Sequence, residues 1–217
     1  MNIQEIYKQR LTVLNKVEAD NKRKYAPISY KDFESLLIVE AEIYQRSIKR
    51  PDEFIIDKNN KDAIDSLYCY FVGKEKRGIS LTKGICAIGG YGSGKTWTMQ
   101  AYINLWDQIY RKIFFKAHCK QFPKIFLKHI KENENYFKLR PLFLDELGKD
   151  EQVINDFGTK YNPVADTLVM RYDSNSLTLA TSNFKQSSLQ EIYGETLGDR
   201  FKEMFNFIQF SGDSRRK

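Results

Sequence analysis

Residues 84–97 read Gly-Ile-Cys-Ala-Ile-Gly-Gly-Tyr-Gly-Ser-Gly-Lys-Thr-Trp, and the rest of the chain is best interpreted outward from them. Within this stretch, residues 89–96 match G-x-x-x-x-G-K-[ST], the phosphate-binding motif called the P-loop. An apolar run at 85–88 precedes the glycines and predicts a strand, and apolar residues recur at helical spacing after them. Strand, glycine loop and helix form the context that this motif requires. The sequence therefore predicts a binding site for a nucleoside triphosphate.

The chemistry of the loop follows from its residue types. Because glycine has no Cβ, the backbone can curl with its N–H groups directed at a phosphate chain. The helix that begins near Lys95 adds the positive end of its dipole. We expect Lys95 to contact the β- and γ-phosphates of ATP and the Thr96 hydroxyl to coordinate Mg²⁺. The predicted nucleotide-binding residues are Gly89, Gly90, Tyr91, Gly92, Ser93, Gly94, Lys95, Thr96 and Trp97.

A second apolar run ends in two acids, the pattern known as Walker B. Residues 142–144 read Leu-Phe-Leu and precede Asp145 and Glu146. On a strand beside the P-loop strand, Asp145 would enter the Mg²⁺ shell, so Thr96 and Asp145 are the predicted metal ligands. Glu146 would then polarise the attacking water. The alternative is that Glu146 only caps the next helix.

A third apolar run, at 177–180, ends in Thr181, Ser182 and Asn183. If this strand lies between the first and third strands of the sheet, Asn183 would lie near the γ-phosphate. There it could orient the water together with Glu146. Thr181 or Ser182 could equally hold that position, or all three could form a polar turn.

Arg200 follows a glycine-containing turn and lies on a short amphipathic helical pattern. An arginine in this setting is often only a solvated helix residue. Alternatively, it could complete the site of a neighbouring subunit with its permanent positive charge. The candidate catalytic residues are Lys95, Asp145, Glu146, Asn183 and Arg200.

Strand and helix patterns alternate from residue 84 onward, which predicts an α/β fold with a parallel sheet covered by helices. Strands are expected at 85–88, 113–117, 141–144, 177–181 and 207–210. Helices are expected at 95–110, 122–131, 163–172, 187–193 and 196–204. Two further helical patterns lie within the first 50 residues and a third at 61–71, with Ser29 or Asp32 as a candidate cap.

The net charge of +7 is concentrated in one segment. Residues 108–131 contain seven basic residues and no acidic one. On the predicted helix, Phe122 and Phe126 share an apolar face that we expect in the core. A row of lysines lies on another face, where it is either solvated or contacts the phosphates of single-stranded DNA. These lysines are Lys120, Lys124, Lys128 and Lys131.

Several kinds of protein are excluded by composition. Apolar runs do not approach the roughly 20 residues that a membrane span needs, and the first residues lack the apolar centre of a signal peptide. The three cysteines form no C-x-x-C pair, which indicates reduced thiols and a cytoplasmic protein. The two histidines have no cysteine or histidine partner at ligand spacing, so no structural zinc site is expected.

With these motifs in order, residues from about 50 to 217 resemble the AAA+ ATPases, and in particular the DnaC/DnaI-type helicase loaders and the IstB-type transposition ATPases. The resemblance depends on the P-loop, on the Walker B strand and on four shorter elements. These are Val169-Met170-Arg171-Tyr172, Thr181-Ser182-Asn183, Asp199-Arg200-Phe201 and the ending Gly212-Asp213-Ser214-Arg215-Arg216.

The resemblance implies a central five-stranded parallel sheet and a homo-oligomer that holds ATP between its subunits. By motif match, Asn183 resembles the residue called sensor 1, and Arg200 resembles the arginine finger. The chain ends at Lys217, so no C-terminal helical lid is expected, and Arg215 or Arg216 could approximate a second sensor. Residues 1–50 are expected to form a helical extension that binds a partner or packs back on the ATPase domain at 51–217.

Three functions are compatible with these features. The resemblance favours a DNA replication factor that hydrolyses ATP and loads a replicative helicase onto single-stranded DNA through ATP-controlled oligomerisation. The first alternative is an IstB-type ATPase that acts on target DNA in transposition. The second is a small-molecule kinase, but paired acids on a strand, followed by a sensor-like strand end, fit activation of water better.

Overall fold

The computed structural model describes residues 3–21, 25–50, 53–130, 132–133, 135–212 and 214–215. The helices are α1 Ile3–Asn21, α2 Tyr30–Ser47, α3 Lys61–Val72, α4 Lys95–Tyr110, α5 Phe122–Ile130, α6 Pro163–Asp173, α7 Gln186–Tyr193 and α8 Glu195–Met204. The strands are β1 Gly84–Gly89, β2 Phe115–His118, β3 Leu142–Asp145, β4 Ile154–Asp156, β5 Thr159–Tyr161, β6 Thr178–Ser182 and β7 Phe205–Phe210.

Five of the strands form one parallel sheet in the order β2-β3-β6-β1-β7. The predicted α/β class with a central five-stranded parallel sheet is therefore confirmed. Strand β6 lies between β1 and β3, as the interpretation of Asn183 requires. Because the strands are parallel, their carboxyl ends meet at one edge of the sheet, where ligands bind in open α/β folds.

Helices cover both faces of this sheet, and the strands supply alternate residues to two apolar cores. Ile85 and Ala87 of β1 face the core that α2, α3 and α4 build. Cys86, the next residue along, faces the core that α5, α6, α7 and α8 build. This division is expected for a central strand, since successive side chains point to opposite faces.

Two strands begin two residues away from their predicted starts. Strand β2 begins at Phe115, two residues after the predicted start at Ile113, which is 75% exposed. Arg111 ends α4 in a left-handed conformation, so residues 111–114 connect the helix to the strand. Strand β7 begins at Phe205 because it pairs with the whole of β1, starting opposite Gly84.

The loop predicted after β3 contains a hairpin, formed by β4 and β5. Its turn places Phe157 and Gly158 at positive φ, and Phe157 is 99% exposed. The base of the hairpin packs on α5, since the ring of Tyr161 lies 5.9 Å from that of Phe126.

The two N-terminal helices have different environments. Helix α2 begins at its cap Ser29 and buries Phe33, Leu37 and Ala41 completely in the core that also contains β1. The indole N–H of Trp97 on α4 donates to the Ala41 carbonyl at 2.7 Å. Helix α2 therefore packs on the helix-covered sheet, whereas α1 exposes apolar side chains, for example Ile3 and Tyr7. Within the described ranges, none of these helices is long and apolar enough to cross a membrane.

Candidate nucleotide-binding and hydrolysis site

The P-loop connects the end of β1 to the start of α4. Gly92 and Gly94 have φ angles of 77° and 89°, in the left-handed region that glycine adopts without strain. Gly94 is also the residue before the first turn of α4, where the unpaired N–H groups of a helix make an anion-binding end. The loop therefore has the backbone shape that a phosphate group requires.

The ammonium group of Lys95 lies inside this loop. The residue is 5% exposed, and its Nζ donates to the carbonyls of Gly89 and Gly90 at 2.9 and 2.7 Å. It also donates to Asn183 Oδ1 at 2.9 Å. Burial of a charge is costly unless it is hydrogen-bonded, and these three oxygens stabilise the cation where phosphates would bind.

Asp145 lies at the end of β3, directly beside the first turn of α4. Its Oδ1 accepts hydrogen bonds from the Thr96 hydroxyl at 2.8 Å and from the Thr181 hydroxyl at 2.5 Å. The two residues predicted to bind the metal, Thr96 and Asp145, are therefore in contact. Thr181, an alternative to Asn183 in the sequence analysis, is thus a hydrogen-bond partner of Asp145.

The donor set at this point fits Mg²⁺. A hydroxyl and a carboxylate are hard oxygen ligands, and Mg²⁺ usually takes one or two carboxylates together with waters and substrate phosphates. In the described part of the chain, no three histidine, cysteine or acidic side chains gather as a metal cage. Thr96 and Asp145 would therefore hold an ion that is shared with the nucleotide.

Glu146 has a backbone conformation that is rare for a residue with a side chain. Its φ is 60°, and its N–H donates to the Thr181 hydroxyl at 2.9 Å. The following residue, Leu147, donates its N–H to the Thr181 carbonyl at 2.7 Å. Such strain persists only where surrounding contacts impose it. The alternative that Glu146 caps a helix is wrong, because a turn and the β4–β5 hairpin follow it.

Two side chains hold the carboxylate of Glu146. Lys149 Nζ donates to Glu146 Oε2 at 2.9 Å, and His118 Nε2 lies 3.0 Å from the same oxygen. Since His118 Nδ1 accepts the Lys120 N–H at 3.1 Å, the ring proton belongs on Nε2, which donates to the carboxylate. Desolvation opposes ionisation of Glu146, but Lys149 and His118 outweigh it and hold its pKa below the usual value.

Asn183 links the P-loop to the acid pair. Its Oδ1 accepts from Lys95, and its Nδ2 lies 3.5 Å from Glu146 Oε1. Ser182, by contrast, is fully buried and donates to the Leu147 carbonyl at 2.7 Å. Of the three polar residues at the end of β6, Asn183 is therefore the one that contacts both Lys95 and Glu146.

Arg200 lies apart from this cluster. Its guanidinium is 3.9 Å from Asp173 Oδ1 and 4.8 Å from the ring centroid of Tyr172, both near the end of α6. The structure thus brings Lys95, Asp145, Glu146 and Asn183 together within one chain and leaves Arg200 on the surface formed by α6 and α8.

The remaining predicted residues have varied surroundings. Tyr91 is 64% exposed, and Lys149 Nζ lies 4.6 Å from its ring centroid. The ring of Trp97 packs on Phe54 at 5.1 Å, which leaves its backbone as the group that could face a nucleotide. Arg215 lies beside the P-loop, because its N–H donates to the Gly92 carbonyl at 2.9 Å. Arg216 lies outside the described residues.

The basic row is exposed at Lys120, which lies in the turn before α5, and at Lys124 and Lys128 of α5. Lys131 lies outside the described residues. Phe122 and Phe126 are buried, which confirms that these aromatic side chains belong to the core.

Solved structures share this fold, although no family model and no curated protein sequence matches the chain. The structure of DnaI is 25% identical, with 76% of this chain and 88% of that chain aligned and a TM-score of 0.55. The DnaC helicase loader is 18% identical over 73% of this chain and 93% of that chain, with a TM-score of 0.57. This chain has a DnaC/DnaI-like AAA+ fold. The replication initiator DnaA bound to AMPPCP and single-stranded DNA is 19% identical, with a TM-score of 0.52. The match covers 74% of this chain and 49% of that DnaA.

Sequence reasoning about this AAA+ fold missed two residues that contact Glu146. His118 ends β2 opposite Asp145 in the parallel register, so a polar residue at the end of a second predicted strand was a usable signal. Lys149 follows Glu146 by three residues in a turn. No local pattern marked it, because its contact depends on how that turn folds.

Proposed function

We propose that this chain is an AAA+ ATPase of DNA replication, which binds ATP with Mg²⁺ and hydrolyses it to ADP and phosphate. The observation that carries the proposal is the continuous array in which Asn183 contacts both Lys95 and Glu146. This array connects a phosphate-binding cation to an ionised carboxylate. The similar fold of DnaA bound to AMPPCP supports a nucleotide as the ligand.

Each residue of the array has a distinct role in this proposal. The N–H groups of the P-loop and Lys95 bind the β- and γ-phosphates. Thr96 and Asp145 hold Mg²⁺, which would neutralise charge that develops on the phosphate oxygens. Asn183 orients the attacking water, and Glu146 accepts its proton. A small-molecule kinase is less favoured, because an ionised carboxylate next to an amide donor suits activation of water.

Helicase loading is the finer form of the proposal. The folds of DnaI and of the DnaC helicase loader support it, and the exposed lysine row of α5 offers positive charge to single-stranded DNA. Arg200 would act in a neighbouring subunit of a homo-oligomer, since its contacts lie away from its own P-loop. An IstB-type role on target DNA remains the alternative.

Phosphate release tests the reaction. The purified protein should produce ADP and phosphate in the presence of ATP and Mg²⁺, with the Lys95→Ala variant as the blank. Activity no higher than this blank would contradict the ATPase assignment, and transfer of phosphate to a small-molecule acceptor would favour the kinase.

Binding of single-stranded DNA is tested separately. Affinity should fall steeply with salt, and Lys120→Glu/Lys124→Glu/Lys128→Glu should abolish it. A control changes three exposed lysines elsewhere, Lys31, Lys61 and Lys185, to glutamate and should bind more tightly than the α5 variant. Co-purification with the replicative helicase of the same cell in ATP, and its loss in ADP, would separate helicase loading from transposition.

A further inference from the structure

After β7, the chain contacts the turn before α3 and the P-loop. We refer to residues 211, 212, 214 and 215 as the tail segment. Ser211 donates its N–H to the Asn59 carbonyl at 3.2 Å, and Arg215 donates its N–H to the Gly92 carbonyl at 2.9 Å. Backbone hydrogen bonds therefore attach the tail segment to the turn before α3 at one end and to the P-loop at the other.

The tail segment also packs closely on both of these elements. A Cβ atom built on Gly92 would lie 2.1 Å from Ser214 Oγ, so the P-loop backbone and Ser214 are in direct contact. A Cβ atom built on Gly212 would lie 2.8 Å from Asn59 Cγ. Neither position has room for a side chain, which indicates that the tail segment packs directly on the P-loop and on the turn before α3.

An ion pair holds the tail segment in this position. Arg215 Nη2 donates to Asp57 Oδ1 at 2.6 Å, and Nη1 donates to the Ile55 carbonyl at 3.1 Å. Desolvation opposes ionisation of Asp57, but the Asn59 N–H and the Arg215 guanidinium outweigh it and keep its pKa below the usual value. Arg215 is 21% exposed in this pair, so solvent screens it only in part.

The contact with Gly92 has a consequence for the shape of the loop. In a trans peptide the carbonyl of one residue and the N–H of the next point in opposite directions. The Gly92 carbonyl accepts from the tail segment, and the Ser93 N–H of the same peptide therefore points away from that segment and lies 3.4 Å from the Gly90 carbonyl within the loop. Gly92 can otherwise rotate with little steric cost.

We propose that Arg215 is a positioning residue for the P-loop: its ion pair with Asp57 holds the tail segment on Gly92, which keeps the loop curled for a nucleoside di- or triphosphate. The inference rests on the proposed function. It assigns Arg215 no contact with the γ-phosphate, unlike a second sensor. Loss of the pair should therefore weaken ATP and ADP equally, and kcat should change little because Lys95, Glu146 and Asn183 keep their places.

Nucleotide affinity and steady-state kinetics of matched variants test this inference. Arg215→Met keeps the length of the side chain and removes its charge, and Asp57→Asn removes the partner charge. Each should raise the Kd for ATP and ADP about tenfold and raise KM with kcat within about twofold. The Kd of the double variant should be no higher than that of the weaker-binding single variant, because the two substitutions remove the same interaction. Arg215→Lys should recover part of the affinity.

Arg46→Met is the control. It removes an arginine that is 3.7 Å from Glu42 on the surface of α2, and its Kd should equal that of the unmutated protein. Unchanged affinity in Arg215→Met would overturn the inference. So would a defect in Arg215→Met without one in Asp57→Asn, because Arg215 would then contact the nucleotide itself.

Failure of the proposed function has a different signature. The unmutated protein would then bind ATP no better than Lys95→Ala, and the role of Arg215 would fall with it. If Arg215→Met does not fold, as judged by circular dichroism, Asp57→Asn and Arg215→Lys still decide the result. A Kd of Asp57→Asn equal to that of the unmutated protein would by itself overturn the inference.

Discussion

The Thr96 hydroxyl donates a hydrogen bond to Asp145 Oδ1 at 2.8 Å, across 49 positions of sequence. This contact joins the first turn of α4 to the end of β3, although β6 separates β3 from β1 in the sheet. It is possible because parallel strands end at the same edge, where α4 begins. The residues proposed to bind Mg²⁺ are therefore already next to each other.

Glu146→Gln should bind ATP but hydrolyse it slowly. The amide cannot accept a proton from the attacking water, and a general base typically contributes about 10²–10⁴-fold to a rate. The measurements are kcat from phosphate release and Kd from calorimetry. Glu151→Gln changes an exposed acid of the same loop and should keep the unmutated rate. A wild-type rate in Glu146→Gln would assign the base to another residue.

Lys149→Met should shift the pH dependence of hydrolysis. Lys149 and His118 hold the pKa of Glu146 below its usual value. The ionised form that acts as the base therefore persists to a lower pH than for an ordinary glutamate, and it is lost as the pH falls through that lowered pKa. Removal of Lys149 raises the pKa, and activity should then disappear at a higher pH than in the unmutated protein. The profile of kcat against pH measures this. Lys149→Arg keeps the charge and should keep the profile, and an unshifted profile in Lys149→Met would refute the coupling.

Arg171→Met should destabilise the protein without a direct effect on the site. Arg171 is fully buried and donates to the carbonyls of Arg140, Phe137 and Leu177 and to the Thr178 hydroxyl. Its removal leaves several buried acceptors unpaired, which should lower the free energy of unfolding by about 3 kcal/mol. Thermal unfolding should show a midpoint lower by roughly 10 °C. The exposed Arg46→Met serves as the comparison, and equal midpoints would contradict the prediction.

Arg200→Ala should fold and bind ATP but lose hydrolysis by at least about tenfold, since an arginine finger stabilises the charge of the transition state. Neither Arg200→Ala nor Lys95→Ala should be active alone. If Arg200 acts in a neighbouring subunit, a mixture of the two variants should recover activity, because some interfaces combine an intact P-loop with an intact arginine. No recovery in mixtures that still assemble would contradict action of Arg200 in a neighbouring subunit, and an unchanged rate in Arg200→Ala would contradict any role in hydrolysis.

Much of the fold could be predicted because its signals are local. The P-loop occupies consecutive residues, and the apolar runs of β1, β3 and β6 are short, buried on both faces and separated by helical patterns. The β4–β5 hairpin gave no such signal. Its strands read Ile-Asn-Asp and Thr-Lys-Tyr, with little apolar alternation, and Phe157 at positive φ is an unusual turn residue.

Local sequence was thus sufficient for the phosphate loop, for the alternation of strands and helices along the chain and for the acid pair, since each depends on neighbouring residues and on the periodicity of strands and helices. The surroundings of these groups depended on long-range packing. His118 reaches Glu146 only because β2 pairs with β3, and Arg215 reaches Asp57 across 158 positions only because β7 ends beside the P-loop. Such contacts arise where separate segments meet in space, and no short stretch of the chain encodes them by itself.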